Sequence, residues 1–195
     1  MIKVLNLYCG IGGNRKDWKN VNVTAVESNP EIAAAYKELF PEDNIIVTDA
    51  HEYLLQNFNK FDFIWSSPPC PTHSKLRLSH KPKYYPDLKL YEEIIFLKHF
   101  YKGKWVVENV IPYYKELIKP TIVLDRHNFW SNFNISEIKV NKNIIDVSRD
   151  TKEGLAIFKN LNEILFLKLK NKRLILRNAV IPEIGNHILK EAFKE

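Results

Sequence analysis

Cysteine is scarce in this sequence, since only Cys9 and Cys70 occur among 195 residues. Two thiols without a CxxC pair or a Cys/His cluster exclude a disulfide framework and give no pattern for zinc or redox chemistry. Long apolar runs are absent as well: no stretch of about 18 apolar residues is available for a membrane-spanning helix. The opening MIKVLNLYCGIGG lacks a secretory signal, because its short apolar run continues into glycines. We therefore expect free thiols, no metal, no membrane partner and a cytoplasmic location.

An excess of negative charge is also missing. The chain has 29 Lys and Arg against 23 Asp and Glu, a net charge of +6. This balance permits a polyanionic partner without requiring one, since many basic proteins bind no nucleic acid. Between residues 139 and 173, nine Lys or Arg stand against four Asp or Glu, so most of the net charge lies there. The length predicts one compact domain with at most a small appended lobe.

The N-terminal half alternates short β-rich runs with helical segments. Such alternation predicts crossover units, and therefore an α/β fold with a doubly wound, mostly parallel sheet covered by helices on both faces. Helix signals support this: Ser28 or Asn29 can cap a helix over 30–40 that ends before Pro41, and a second helix stops at Gly103. The predicted strands are IKVLNLY (2–8), VNVTAVE (21–27), NIIVTD (44–49), FDFIWSS (61–67) and KWVVENV (104–110).

The glycines of YCGIGG follow the first predicted strand directly. Gly10, Gly12 and Gly13 let the backbone turn sharply and approach a ligand closely, although the spacing differs from GxGxxG and a simple tight turn is the alternative. Glu27 ends the second strand, where a carboxylate can accept from both hydroxyls of a ribose. Asp49 ends the third, where it can accept from an adenine amine. Either acid alone is more often a helix cap, but together the three features predict a pocket for an adenosine-bearing cofactor.

No Lys-Ser/Thr follows the glycines, which argues against a triphosphate cradle. A cofactor without phosphates fits better, and S-adenosylmethionine is the expected one.

Cys70 follows the fourth predicted strand, on the same edge of the sheet. Pro68, Pro69 and Pro71 restrict its backbone. A buried, inert thiol is the commoner fate of an intracellular cysteine. Rigid presentation at the lip of a site favours a nucleophile instead.

Taken together, these motifs resemble the DNA (cytosine-5) methyltransferases. The resemblance covers most of residues 1–133 and a stretch near the C-terminus. It implies a Rossmann-like, S-adenosylmethionine-dependent methyltransferase fold with a catalytic and cofactor-binding core at 1–133, a reduced basic recognition region at 134–172, and a C-terminal segment at 173–195 that returns to the core. The matching pieces, in the family's order, are YCGIGG, Glu27, Asp49, PPC at 68–70, ENV at 108–110 and RNAVIPEIGNHI at 177–188.

The resemblance implies transfer of a methyl group to C5 of cytosine in double-stranded DNA. Cys70 would add to C6 of the base, and Glu108 would meet N3 and the exocyclic amine. Asn109 would orient this loop, and the target base would be flipped out of the duplex. The residues implied for the cofactor are Tyr8, Gly10, Ile11, Gly12, Gly13, Glu27, Ser28, Asp49, Ala50, Pro68, Asn178, Ala179 and Val180.

Three departures from the family pattern stand out. Pro71 replaces the usual Gln after the cysteine, and the residues that follow, His73, Lys75 and Arg77, are candidate phosphate contacts or a solvated loop. The Gln-x-Arg-x-Arg segment is not recognisable; its nearest counterpart is LDRHNFWSNF (124–133), where Arg126 is the candidate catalytic arginine. Trp130 and Phe133 are expected in the core or in a wall of the site rather than as a stacking platform. A recognition region of 134–172 offers lysines for phosphates but few side chains for base edges.

Two other functions stay open at this point. One is RNA methylation, because family members acting on tRNA carry the same catalytic pieces. The other is an incomplete, non-catalytic subunit for which a second polypeptide supplies DNA recognition. A small stand-alone enzyme would suit a phage or a restriction-modification setting by association only. The sequence predicts neither the target sequence nor the oligomeric state.

Overall fold

The computed structural model describes residues 1–75, 85–138 and 151–194. In these ranges the chain forms an α/β fold around one seven-stranded sheet. The strands are β1 Ile2–Leu7, β2 Val21–Glu27, β3 Asn44–Val47, β4 Phe63–Ser66, β5 Lys104–Val110, β6 Ile122–Leu124 and β7 His127–Ser131. The helices are α1 Pro30–Leu39, α2 Ala50–Asn57, α3 Lys89–Phe100, α4 Lys152–Phe158, α5 Lys172–Asn178 and α6 Pro182–Ala192, with 3₁₀ turns at Phe58–Lys60 and Asn162–Leu165.

The sheet has the strand order β3-β2-β1-β4-β5-β7-β6. The first five strands are parallel neighbours. The carboxyl ends of β1, β2, β3, β4 and β5 therefore meet at one edge, where ligands bind in doubly wound sheets. The predicted α/β class and all five predicted strands are confirmed.

Burial explains why these segments form strands. The run from Val4 to Leu7 in β1 is completely buried, as are Phe63, Ile64 and Trp65 in β4. Strands covered on both faces read as continuous apolar runs rather than as alternating ones. Asn6 is the polar exception in β1, and it exchanges side-chain hydrogen bonds with Asn14 at 2.9 and 3.4 Å.

The helix predicted over 30–40 is present as α1. Of the two candidate caps, Asn29 does the capping: its side chain accepts from the backbone N–H groups of Glu31 and Ile32 at 2.9 and 3.3 Å. Pro30 occupies the first helical position, where its missing N–H is harmless. The helix thus leaves directly from the tip of β2.

A hairpin that the sequence pattern does not predict completes the sheet. β7 pairs antiparallel with β5, and β6 pairs antiparallel with β7. The core position expected for Trp130 is confirmed, since this residue is buried and its indole N–H donates to the carbonyl of Ile118 at 2.8 Å. Phe133 is partly buried and packs against the same core.

The described part of the basic C-terminal region packs on the N-terminal part of the chain, residues 1–133. Residues of α4, the second 3₁₀ turn and α5 form a hydrophobic cluster with Ile11 of the glycine loop. The proposed boundary at residue 172 falls at the start of α5, and α5 packs against α4. We call residues 151–178 the C-terminal lobe. The side chains that the lobe buries in this cluster are Leu155, Ala156, Leu161, Ile164 and Leu176.

None of the helices in the described ranges is long and apolar enough to cross a membrane. The same ranges contain no group of three or more His, Cys, Asp or Glu side chains that could hold a metal ion. Both cysteines are free thiols, as expected.

Candidate active site

The glycine loop lies at the carboxyl end of β1. Tyr8, Gly10 and Gly12 all have a left-handed backbone, with φ of 53°, 53° and 73°. A Cβ added at Gly10 would meet no atom within 4 Å, so bare main chain faces open space there. A Cβ at Gly12 would collide with the rings of Phe40 and Tyr36. Gly10 is therefore where a ligand can approach the backbone, whereas Gly12 allows the loop to pack on α1.

Glu27 braces this loop from the end of β2. Its carboxylate accepts from the Gly10 N–H at 3.1 Å and from the Asn29 N–H at 2.9 Å. An ionised carboxylate has about four lone-pair sites, so these two bonds leave capacity for further donors. Glu27 is thus positioned beside the open face of Gly10.

Asp49 serves as the N-cap of α2. One of its oxygens, Oδ1, accepts from the Glu52 N–H at 2.9 Å. The helix-cap role weighed for this residue is therefore real. Ala50 follows as the first helical residue and is buried.

The segment Asn178–Val180 returns to the glycine loop. A Cβ added at Gly13 would lie 2.5 Å from the Val180 carbonyl oxygen and 3.1 Å from the Ala179 Cβ. Gly185 of α6 lies so close to the backbone of Asn14 that a Cβ there would collide with it. The structure thus brings together the two distant parts of the sequence to which cofactor binding was assigned.

Cys70 sits at the start of a tight turn beyond β4. Its carbonyl accepts from the backbone N–H groups of His73 and Ser74 at 3.0 and 3.1 Å. The thiol is partly buried, and burial together with the negative charge of Glu108 raises its pKa. The positive charge of Arg177 acts in the opposite direction. A bound base that neutralises or screens Glu108 would favour the thiolate.

Asn109 joins the cysteine loop to the strand that carries Glu108. Its amide nitrogen donates to the Pro68 carbonyl at 2.9 Å, and its Oδ1 accepts from the Val110 N–H at 3.0 Å. Asn109 is 1% exposed and Glu108 is 6% exposed. The orienting role assigned to Asn109 thus has a concrete geometry, because β4 and β5 are neighbours and this bond ties their ends together.

His127 lies beside Glu108 and was not identified from the sequence. Its Nε2 is 3.7 Å from Oε1 of Glu108, and burial lowers the pKa of the imidazole. Among the described residues, the buried Nδ1 of His127 and Oδ1 of Asn128 have no hydrogen-bond partner. Buried polar atoms are rarely left unpaired. The imidazole beside Glu108 therefore has one ring nitrogen, Nδ1, that is buried and has no partner among the described residues.

The candidate arginine is positioned differently from its expected role. The Arg126 side chain is 63% exposed, and its Nε lies 3.7 Å from Oδ2 of Asp125. The Arg126 guanidinium is thus exposed and lies beside Asp125. The side chain 3.7 Å from Glu108 is His127.

The expected phosphate contacts divide into three cases. His73 does not fit that role, because it is 1% exposed and its Nδ1 lies 2.6 Å from the Tyr114 hydroxyl. Its buried ring braces the cysteine turn against the chain after β5. Lys75 is exposed and stays a candidate. Arg77 lies outside the described residues.

A buried carboxylate, Glu93 of α3, connects the elements below the site. It is 0% exposed and accepts from the Tyr8 hydroxyl at 2.6 Å. It also bonds the Ser66 hydroxyl at the end of β4, and its Oε1 lies 3.2 Å from Nδ1 of His51 in α2. The bond to Glu93 raises the pKa of His51, whereas burial and the Glu93 charge raise that of Tyr8. Sequence reasoning missed Glu93, although an acid three residues after Leu90 and four before Leu97, and therefore on their helix face, is a detectable signal.

Comparison with known proteins identifies the class to which this fold and site belong. The family model for the C-5 cytosine-specific DNA methylases matches residues 2–121. This is more than half of the chain, and the chain belongs to that family.

The similar proteins refine this picture. The tRNA (cytosine(38)-C(5))-methyltransferase of Spodoptera frugiperda is 37% identical over an alignment of 75 residues, and the match covers 35% of this chain and 23% of that relative's length. A solved structure of a Spodoptera frugiperda DNMT2 variant has a TM-score of 0.62 at 16% identity and covers 100% of both chains. The Entamoeba histolytica methyltransferase EhMeth has a TM-score of 0.54 at 13% identity, covering 99% of this chain and 98% of its own. At these identities the structural matches establish the fold.

Proposed function

We propose that this protein methylates C5 of cytosine in a nucleic acid, with S-adenosylmethionine as the methyl donor. The observation that carries this proposal is the hydrogen bond that connects the loop of Cys70 to the strand of Glu108. The Asn109 side chain bonds the Pro68 carbonyl, so the loop bearing the thiol and the strand bearing the carboxylate are held together. The negative charge of Glu108 also raises the pKa of the Cys70 thiol, so the two groups interact electrostatically.

The glycine loop fits the proposed cofactor. Gly10 presents main chain to open space, and Glu27 lies beside it with lone pairs left for ribose hydroxyls. Asp49 marks the neighbouring strand end, although one of its oxygens already caps α2. When bound, S-adenosylmethionine supplies an electrophilic methyl group on a sulfonium.

The chain's own residues account for the activation of the base. The Cys70 thiolate forms a bond to C6 of cytosine, which makes C5 nucleophilic. Glu108 accepts from the exocyclic amine and stabilises a proton at N3 while the adduct exists. After C5 carries the methyl group, a water molecule takes up the C5 proton, the C–H electron pair forms the C5–C6 double bond, and the bond from Sγ to C6 breaks, so that the thiolate is regenerated.

A covalent trap tests the role of Cys70. In an oligonucleotide with 5-fluorocytosine, C5 carries no proton to lose, so the adduct persists after methyl transfer. We expect a denaturation-resistant protein–oligonucleotide complex with wild type and none with Cys70→Ala. The matched control is Cys9→Ala, which removes the other thiol, buried in the core, and should still form the complex. Trapping by Cys70→Ala would overturn the mechanism.

Two substrates are candidates. Duplex DNA is the expectation from the sequence, and it requires flipping of the target base, a step that costs a few kcal/mol. The 37% identity over 75 residues to an enzyme that acts on tRNA favours tRNA as the second candidate. Purified protein should be given labelled S-adenosylmethionine with unmethylated duplex DNA and, in parallel, with unmodified tRNA, and the product base should be identified after digestion.

The outcomes of this assay separate the alternatives. Labelled 5-methylcytosine in only one nucleic acid assigns the substrate. Cofactor binding without methylation of either one favours the incomplete subunit, whose partner supplies recognition. Absence of cofactor binding contradicts the proposed function itself.

A further inference from the structure

A fully buried lysine joins the C-terminal lobe to the candidate cofactor pocket. Lys159 follows α4 and is 1% exposed. Its ammonium donates to the Arg177 carbonyl at 3.0 Å and also bonds the Ala179 carbonyl. Lysine is almost never fully buried unless it is paired. Its partners here are backbone carbonyls at the end of α5, so the ammonium fixes where that helix ends.

The end of α5 is the point at which the chain enters the pocket. Ala179 directly precedes Val180, whose carbonyl lies where a Cβ on Gly13 would be 2.5 Å away. Gly13 has no side chain to displace this segment. A shift of the Ala179 carbonyl would therefore be transmitted to the wall of the glycine loop.

Charged groups from several elements act on Lys159. Burial and the positive charge of Arg126 lower its pKa to about 8, and Arg177 contributes in the same direction. Glu108 of β5 and Asp125 of the hairpin turn oppose this effect. His127 of β7 also lies within range of the Lys159 charge.

A second contact supports the same docking. The Lys16 ammonium, just after the glycine loop, bonds the Asn160 carbonyl and lies 2.8 Å from Oε1 of Glu163. Residues 159, 160 and 163 thus hold the lobe to both parts of the pocket. A lobe that only contacted nucleic acid would need neither interaction.

We propose that Lys159 is a positioning residue for the cofactor: its ammonium clamps Ala179 so that Asn178–Val180 closes the pocket against Gly13. The inference rests on the proposed S-adenosylmethionine site. The inference gives the C-terminal lobe a role in shaping the cofactor pocket, whereas the basic composition of the lobe indicated contacts with phosphates. It also implies pH-dependent affinity, since charge-assisted hydrogen bonds are roughly twice as strong as neutral ones.

Calorimetric titration with S-adenosylmethionine between pH 6.5 and 9.5 tests this proposal. We expect Lys159→Met to bind about tenfold more weakly than wild type at pH 7, because two carbonyls lose a charged donor. The ratio of the wild-type affinity to the Lys159→Met affinity should fall as pH rises through about 8, the value to which burial and Arg126 lower the pKa of Lys159. Ionisation of the ligand itself cancels in this ratio. The matched control is Lys190→Met, an exposed lysine on α6, which should bind as wild type does.

Lys159→Arg keeps the experiment decisive if Lys159→Met does not fold. A guanidinium stays charged throughout this pH range. The wild-type affinity should then fall relative to Lys159→Arg above pH 8. Equal affinities for wild type and Lys159→Met, or a flat ratio to Lys159→Arg, would overturn the inference while leaving the proposed function intact. Failure of wild type to bind S-adenosylmethionine would instead contradict the proposed function.

Discussion

At the scale of single residues, Glu93 shows how one buried carboxylate can position several parts of a site. Its partners come from the glycine loop, from α2 and from the end of β4. A buried carboxylate is stable only when its lone pairs are used, and here three donors use them. Removing the acid leaves polar groups without partners in three elements at once.

Glu93→Gln should therefore lower the free energy of unfolding by about 2 kcal/mol, measured by urea denaturation near pH 6. Because the Glu93 bond raises the pKa of His51 above 6.5, this contribution is fully present below pH 6.5 and is lost as pH rises through the raised value. The variant should lack this loss. Glu92→Gln is the control, since that side chain is 62% exposed and its change should cost less than about 0.5 kcal/mol.

Cys70 gives a prediction about the pH dependence of the reaction. Burial and Glu108 hold the thiol pKa above its ordinary value, so the reactive thiolate is a small fraction at neutral pH. The single-turnover rate of methyl transfer, with saturating cofactor and nucleic acid, should rise between pH 7 and 9. A rate that is flat over this range would show that the thiol is already ionised in the complex.

Residue-level reasoning from sequence selected candidate side chains at the strand ends, and it did not select His127 and Lys159, which come from other elements. Cys70 and the glycines follow strands, Glu108 lies near the end of β5, and the sheet topology brings these strand ends to one edge. His127 comes from the hairpin and Lys159 directly follows the short helix α4, and the docking of both elements depends on long-range contacts. Lys159 lies four residues after Leu155 and two before Leu161, a spacing that indicates a buried position. Its charge indicates a surface position instead, and the sequence alone does not show the carbonyl partner that allows burial.

At the scale of elements, the fit of α6 on the glycine loop depends on one residue without a side chain. Gly185 faces the Asn14 backbone, which cannot move away as a flexible side chain could. The same helix begins at Pro182 and buries Ile184 and Ile188. Its position decides how Asn178–Val180 enters the pocket.

Gly185→Ala should destabilise the protein by about 3 kcal/mol, because the added methyl group forces α6 away from the loop. Gly10→Ala is the informative comparison. A Cβ there meets open space, so only its left-handed φ of 53° is penalised, at about 1 kcal/mol. Chemical denaturation of both variants measures the difference. Equal losses would contradict the close approach of α6.

The elements that the sequence predicted are those with strong local signals. The five parallel strands are continuous apolar runs, and α1 has a cap and flanking prolines. The hairpin β6–β7 was missed because β6 has three residues and its pairing partner, β7, in turn pairs with β5, about 20 residues earlier in the chain. Short strands at a sheet edge are specified by their neighbours more than by their own pattern.

At the scale of the whole molecule, the C-terminal lobe and the catalytic core share buried surface. Ile11 of the core packs with Leu161 and Ile164 of the lobe, and Lys16 pairs with Glu163. A domain unit that shares its core with its neighbour unfolds together with it. The lobe should therefore not melt separately.

The four tryptophans make this cooperativity measurable, because all of them lie within residues 1–133. Leu161→Ala, in the lobe, should lower the free energy of unfolding by about 3 kcal/mol. The transitions followed by tryptophan fluorescence and by far-UV circular dichroism should move together to lower denaturant concentration. Phe166→Ala, in the same lobe at 86% exposure, should leave both transitions in place. A circular dichroism change at Leu161→Ala that precedes the fluorescence change would indicate an independently unfolding lobe.

The hydrogen-bond hub at Glu93 also has an evolutionary consequence. Tyr8, His51 and Ser66 are far apart in the chain, yet each depends on the same acid for its buried polar group. If Glu93 were replaced with an apolar residue, the Tyr8 and Ser66 hydroxyls would lose this partner, so substitutions that also remove these hydroxyls would restore stability. These positions should therefore change as a set among homologous sequences, so that their covariation would record a physical contact that the spacing of the motifs does not reveal.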